Sequence, residues 1–305
     1  MNAPLNPAAS GAAAPREEGA AARRLSFILV FAPFALWIAL VILVPQLNLF
    51  FLSLREKVGP QVYALGPRNY TELFGESVYV LTLVRTVVMS LLATFATLII
   101  GFPIAYYIAK IARGRARTML FMSCLLPFWV SELVRVFGWM LILRETGLLS
   151  RLLQGLGLVD GPVELLYNDV AVMVGLIYTS MLFMVVPLVS TLDSLDDALV
   201  EAGYDLGGNG FVVLWEIVIP HAKPGIVAGA IIVFMLNLGN YLTPTLLGGK
   251  NSQWFTAQIY SQFITRFNWE SGSAFGFVLL VTSSLIVWLA LRASGQTLSG
   301  TIGKG

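Results

Sequence analysis

Residues 194–224 read SLDDALVEAGYDLGGNGFVVLWEIVIPHAKP, a stretch with long apolar runs on either side. Ser194 followed by Asp196 and Asp197 has the form of a helix start. Ser194 would be the cap, and the acids would sit in the first turn, where the helix dipole favours them. Leu195, Leu199, Ala202 and Leu206 then recur at helical spacing. Gly207 and Gly208 end that helix, and Asn209-Gly210 turns the chain and offers a new cap. A second apolar segment runs from Phe211 to Ile219, and Pro220 and Pro224 close it and start the next element. The pattern predicts two short helices joined by glycines.

The flanks decide what these helices are attached to. The chain has 305 residues, 57% of them hydrophobic and only 12% charged, with a mean hydropathy of +0.80. Soluble domains carry about 25% charged residues, and a soluble fold of this size could not hide so much apolar surface. A bilayer is the solvent that fits, and the arithmetic leaves little room for a soluble enzyme or a disordered chain. The net charge of +2 is too small to argue for nucleic acid. One cysteine, Cys124, excludes an intrachain disulfide, and one histidine, His221, argues against a multi-histidine metal site.

A membrane helix needs roughly 20 apolar residues. Six runs qualify: about 25–52, 79–111, 119–143, 170–190, 225–247 and 274–291. The first is too long for a signal-peptide core and is read as a retained span. Residues 1–24 have the composition of a disordered cytoplasmic tail, and 294–305 form a second tail. Residues 25–293 are then one six-span domain, with 190–223 as its inner loop. Placing both termini inside puts ten Lys and Arg inside and seven outside, a weak bias. The dense basic clip of Lys110, Arg113, Arg115 and Arg117 between spans two and three decides for that orientation. On the outer side, residues 250–270 space Phe255, Ile259, Phe263 and Phe267 four apart, and residues 148–156 repeat leucines similarly. Both predict amphipathic helices at the interface, serving as anchors or framing a docking surface.

Glu201-Ala202-Gly203, then Gly207, then Ile219-Pro220, resembles the EAA motif of binding-protein-dependent ABC transporter permeases. The family pattern is Glu-Ala-Ala, three residues, Gly, and about a dozen residues later a hydrophobic residue and Pro. Gly203 stands where the second Ala belongs. Asp205-Leu206-Gly207-Gly208, Leu126-Pro127-Phe128-Trp129 with Arg135, and Tyr241 through Gly249 are similar to the polyamine (spermidine and putrescine) subfamily. The resemblance covers roughly residues 30–293 and implies an all-α, six-helix type I importer permease in a bacterial inner membrane. It implies a second permease, similar or identical, two ATP-binding subunits, an extracytoplasmic solute-binding protein and a small solute as partners. In this family the motif loop docks on the ATPase, so Glu201, Ala202, Gly203, Gly207 and Pro220 are the expected coupling residues. Small residues let backbones approach, Glu201 can make a charge-assisted bond, and Leu195, Leu199 and Leu206 would pack back on the chain's own bundle. No P-loop is present: Gly249-Lys250 and Gly303-Lys304 lack both the first glycine and the following Ser or Thr. ATP and Mg would be bound by the partner ATPase, and no cofactor is expected in this chain.

Ionisable groups within spans suggest function. Glu132 and Arg135 are the central ones, with Arg85 near a span end. A carboxylate with aromatic neighbours such as Trp129 suits an organic cation. Glu132 and Arg135 are also spaced i, i+3, where they would neutralise one another, and the resemblance does not extend to Glu132. Asn237, Asn240 and Tyr241 follow on span five at i, i+3, i+4, as a polar face toward the pathway or as interhelical hydrogen bonds. Gly225 and Gly229 form a small-residue packing pair. Two other classes fit poorly. A membrane enzyme needs a nucleophile–base pair or a metal, and a channel needs a repeated pore signature.

Overall fold

The computed structural model describes residues 29–59 and 62–295. The two expected tails lie outside the described residues, apart from 294 and 295, as do Arg16, Arg23, Arg24 and Lys304. Five described helices are long and apolar enough to cross a membrane, and a sharply bent helix pair makes a sixth. They are α1 (Leu29–Ser53), α3 (Ser77–Ile111), α7 (Asp169–Asp193), α9 (Gly210–Leu238) and α12 (Trp269–Ser294). Shorter elements join them: a hairpin of β1 (Arg55–Gly59) and β2 (Val62–Leu65), α2 (Arg68–Gly75), α4 (Gly114–Trp129), α5 (Glu132–Leu143), α6 (Leu148–Gly155), α8 (Asp197–Asp205), α10 (Leu242–Leu247) and α11 (Phe255–Tyr260). The β-hairpin has no counterpart among the elements expected from the sequence.

The chain divides after Phe51 into two compact units. Within the first, α1 widens to a π-helical turn at Ala39–Leu43. Its side chains are almost all apolar, as lipid requires of a span.

In the second unit, α3, α7 and α9 form the central packing. Helices α3 and α7 run parallel at a nearly constant offset. Arg85 meets Asp169, Thr97 meets Ser180, and Lys110 meets the Leu195 carbonyl and Asp197. Helix α9 crosses back over α7 at its two glycines. A Cβ on Gly225 would stand 2.5 Å from Thr191 Oγ1 and 2.7 Å from the Pro187 carbonyl oxygen. One on Gly229 would stand 2.9 Å from Met184 Sδ. The small-residue pair is therefore a helix–helix contact with α7. Around it, Met184, Val185, Leu188, Leu192, Val218, Ala222 and Val233 form the largest buried apolar cluster.

One face of α3 is lined by buried hydroxyls. Thr82, Thr86, Thr94 and Thr97 each donate to the carbonyl four residues back, at 2.7–2.8 Å. Back-bonding satisfies these groups without a partner helix, so hydroxyls can be buried among apolar neighbours at little cost. Thr86 does more: its Oγ1 also accepts the Phe255 amide at 2.8 Å and ties the start of α11 to α3.

Three expectations about the spans are corrected. The third span is not one helix: Gly114–Trp129 and Glu132–Gly155 meet at 96° across Val130 and Ser131. Pro127 lies in the short 3₁₀ turn before the break, and Glu132 supplies the first-turn acid after it. The fifth span is longer at one end and shorter at the other. The segment from Phe211 to Ile219 is continuous with it rather than a separate helix, because a π-helical turn at Leu214–Val218 widens the ladder just before Pro220. The helix then stops at Leu238, and Asn240 and Tyr241 lie in a break before α10. The aromatic segment 250–270 is also not a purely interfacial helix. Trp254 and Phe255 are buried, and Phe255 stacks on Phe275 with ring centroids 5.6 Å apart.

Valine at Gly225 should be badly tolerated, because the obstructing Pro187 oxygen is helix backbone. The overpacking penalty is about 1–3 kcal/mol, seen as a lower unfolding midpoint of the detergent-purified protein. Alanine at Gly229 should cost less, since the atom in the way is the end of a flexible methionine.

Candidate functional site

Two places bring the sequence-derived residues together: the hairpin of α8 with the start of α9, and a cavity where the two helix breaks meet.

The hairpin begins later than expected. Asp196, not Ser194, caps α8, its Oδ1 accepting the Ala198 amide at 3.0 Å. Ser194 instead belongs to the end of α7, with Oγ donating to the Thr191 carbonyl and lying 3.1 Å from His221 Nε2. Helix α7 runs through Asp193, so the chain needs two further residues before it can turn into α8. At the other end Gly207 has φ +86°, and the amides of Gly207 and Gly208 donate to the carbonyls of Tyr204 and Gly203. This is a Schellman ending, which places a residue in left-handed backbone. Asn209 caps α9 through the Val212 amide at 2.9 Å.

The hairpin presents Glu201 and Ala202 outward, and Pro220 is exposed. Gly203 faces inward: a Cβ there would stand 2.6 Å from Ile217 Cδ1 and 3.2 Å from Val213 Cγ2. Its smallness serves the closure of α8 on α9, not a partner's backbone. The leucines divide as well. Leu195 is buried in the central cluster, whereas Leu199 is 54% and Leu206 is 90% exposed. They do not pack back on the chain, because Gly203 and not the leucine stripe is the side turned to α9. The free face of α8 is thus apolar and acidic: Leu199, Glu201, Ala202, Asp205 and Leu206.

The basic clip holds this hairpin to the bundle. Lys110 Nζ donates to the Leu195 carbonyl at 2.5 Å and to Asp197 Oδ1 at 2.7 Å, and Arg117 pairs with Asp193. The bond from Lys110, and then its charge, hold the Asp197 carboxyl below its ordinary range. That contribution is present while Asp197 is ionised and is lost as pH falls through the lowered value. Asp197 is largely exposed, so water screens the pair and it orients the hairpin more than it stabilises it.

The cavity, of about 470 Å³, is lined by α4, α5, α7 and the α9–α10 break. Glu132, Arg135, Asn237, Asn240 and Tyr241 all reach it; Trp129, also a candidate from the sequence, does not and is 86% exposed. The adjacent Phe128 lines it instead, edge-to-face with Phe183 at 5.8 Å. Glu132 and Arg135 form no ion pair. Glu132 Oε1 accepts from Asn240 Nδ2 at 2.7 Å, and Arg135 Nε is buried without a partner. Asn237, 1% exposed, also has an unpartnered Nδ2. Tyr241 stacks on Tyr260 with centroids 4.6 Å apart. Thr179, Ser180 and Phe183 complete the wall from α7 and are not among the candidates the sequence offers. Their only sequence signal is a pair of adjacent hydroxyls within span four, which back-bonding makes commonplace.

Membrane-length helices with a mainly apolar cavity that holds a few polar side chains between two broken helices, and a short hairpin with an uncovered face, describe the membrane subunit of a solute transporter. Residues 87–294 match the family model of the binding-protein-dependent transport system inner membrane component, and the chain belongs to that family. It is 33% identical over 260 residues to the spermidine/putrescine transport system permease protein PotB of Haemophilus influenzae, covering 85% of this chain and 90% of that protein. The PotB protein of Escherichia coli K12 is 32% identical over the same length, covering 85% and 94%. Among solved structures, a chain of a bacterial ABC transporter "involved in the import of the acidic polysaccharide alginate" superposes with a TM-score of 0.70 at 19% identity, covering 95% of this chain and all of that one. The chain is thus a multi-pass inner-membrane permease subunit of an ABC importer, and such a subunit is non-catalytic.

Alanine at Gly207 should destabilise the end of α8 by about 1–2 kcal/mol, the cost of left-handed backbone for an L-residue. Hydrogen exchange of the α8 amides should quicken accordingly. Alanine at Gly203 should perturb it less, since the Ile217 methyl in its way can rotate aside.

Proposed function

We propose that the chain is the permease half of a polyamine importer. The observation that carries this reading is the Glu132 carboxylate, which projects into a cavity walled by Phe128, Phe183 and Tyr241. Ammonium groups take a carboxylate by charge-assisted hydrogen bonding, and their methylene chains and charge suit aromatic walls. The spermidine and putrescine relatives support the same cargo. A second reading, an amphoteric solute, has one observation in its favour. Arg135 Nε and Asn237 Nδ2 are buried donors beside the cavity, and a solute carrying an acceptor would satisfy them. Competition for uptake between a diamine and an aminocarboxylate of equal length distinguishes the two.

In this reading the chain pairs with a second permease subunit and receives solute from an extracytoplasmic binding protein. Two separate ATP-binding subunits hold the ATP and Mg. The uncovered α8 face, with Glu201, Ala202 and Leu206, meets the ATPase, and Gly203, Gly207 and Pro220 shape the hairpin that carries it. The basic clip lies at the same end and is cytoplasmic, with both termini. Closure of the ATPase pair is delivered as a push on α8 and passes directly into α9, because the two are closed together at Gly203.

Two substitutions test this. Glu201→Lys should lower recovery of the ATPase with the purified complex and abolish ATP-driven uptake. Normal yield and normal uptake would remove the coupling role. Glu132→Gln should lower ATP-driven spermidine uptake by about tenfold, the scale of one charge-assisted bond, with assembly intact. Unchanged uptake would leave Glu132 without a role in the pathway.

A further inference from the structure

Glu132 and Arg135 stand one helical turn apart on α5, both at the cavity, yet they are not paired. Opposite charges at this spacing ordinarily attract. What holds the carboxylate elsewhere is a single side chain from another part of the chain, Asn240.

The orientation of that side chain is over-determined. Asn240 Oδ1 accepts the Thr243 amide, in the first turn of α10, at 2.9 Å. That leaves Nδ2 as the end facing Glu132, and it donates to Oε1 at 2.7 Å. The reversed amide would set oxygen against carboxylate oxygen and turn a donor on the Thr243 amide, so the network admits one orientation. The backbone is pinned too: the Asn240 amide donates to the Asn237 carbonyl at 3.2 Å, and its own carbonyl accepts Thr256 Oγ1 at 2.8 Å. Four bonds thus hold a residue in the break between α9 and α10. Across from it, Glu132 is the first residue of α5, just past the break with α4. With Oε1 taken by the amide, Oε2 has no partner among the described residues.

We propose that Asn240 is a positioning residue: it holds Glu132 away from Arg135 and so keeps one carboxylate oxygen available to the solute. The proposal rests on the reading of Glu132 as the group that receives an ammonium. Asn240 itself needs no contact with the solute. Without its amide donor the carboxylate swings to Arg135, and the site neutralises itself. Arg135 and Tyr241 are the other titratable groups on the cavity wall, and Arg135 is the only cation there. The bond also joins the two helix breaks, so the carboxylate is presented only while α5 and the α9–α10 break are in register.

The test uses the full complex of permeases, ATPases and binding protein in proteoliposomes, with radiolabelled spermidine as probe. The readout is solute imported per ATP hydrolysed. Asn240→Ser keeps a short side-chain oxygen that can accept the Thr243 amide but lacks the reach of the amide, and should lower this ratio about tenfold, the scale of one charge-assisted hydrogen bond. In a Glu132→Gln background the same change should have no further effect, because there is no carboxylate left to position. Asn240→Asp, which retains length and the oxygen that accepts the Thr243 amide, should lower the ratio at least as far and serves if the serine variant assembles poorly. A normal ratio in both Asn240 variants, with loss in Glu132→Gln, overturns the positioning role alone. An equal further loss in the Glu132→Gln background also overturns it, since Asn240 would then matter only to the fold. Normal uptake in Glu132→Gln overturns the solute reading and this proposal with it.

Discussion

The contact of α9 with α7 at Gly225 is the constraint on which the rest of the second unit depends. Lipid offers no partner to a polar group and little drive for apolar surfaces to associate, so helices hold together by close packing and internal hydrogen bonds. At Gly225 the two helices approach to a distance that no side chain would permit. The residues around this contact form the main buried cluster, and α3 packs against both α7 and α9. Once α7 is fixed, its two ends are tied to α3 by Arg85–Asp169 and by Lys110 across the start of α8. The α8–α9 hairpin and the cavity then fall at set positions along this core.

Both candidate sites are departures from regular helix against that core. Straight helices satisfy their own backbone and leave nothing to bind with. The breaks at Val130–Ser131 and at Gly239–Tyr241 free backbone and short polar side chains, and the two breaks face each other. Their polar groups satisfy each other in part, as Asn240 and Glu132 do, and in part remain open, as at Arg135 Nε. The hairpin follows the same logic. Gly207 takes a backbone conformation that closes α8, and a widened turn in α9 accommodates Pro220 without ending the helix.

Much of this architecture is legible in the residue pattern alone. Hydropathy locates every long helix to within a few residues at most ends, because a bilayer demands uninterrupted apolar length. The glycines after Asp205 mark the end of α8, since left-handed backbone favours glycine. Other features are not legible. Ser194 and Asp196 are both good caps, and only the length of α7 chooses between them. The leucines of α8 share a helical stripe, but which side of that helix meets α9 is decided by Gly203 against Ile217 and Val213. Pro220 has the look of a boundary because proline costs a hydrogen bond, and local widening of the helix absorbs that cost. Trp129 and Phe128 differ by one residue, and the turn before the α4–α5 break sends one to the cavity and leaves the other exposed.

By itself the sequence determined that this chain carries membrane-length apolar segments, with two short helices and their glycine turn between the fourth and fifth, in a pattern that resembles its family's motif. Those properties follow from one-dimensional quantities: apolar length, residue spacing, and glycine and proline at turns. Tertiary structure alone decided where the Glu132 carboxylate is held. Along the chain its nearest polar partner is Arg135, one turn away; in space it is Asn240, 108 residues later, whose amide is aimed by its bond from the Thr243 amide. Sequence separation carries no information about such a pair, because the energy of a hydrogen bond depends on distance and angle, which the packing of α9 on α7 and the two helix breaks set together.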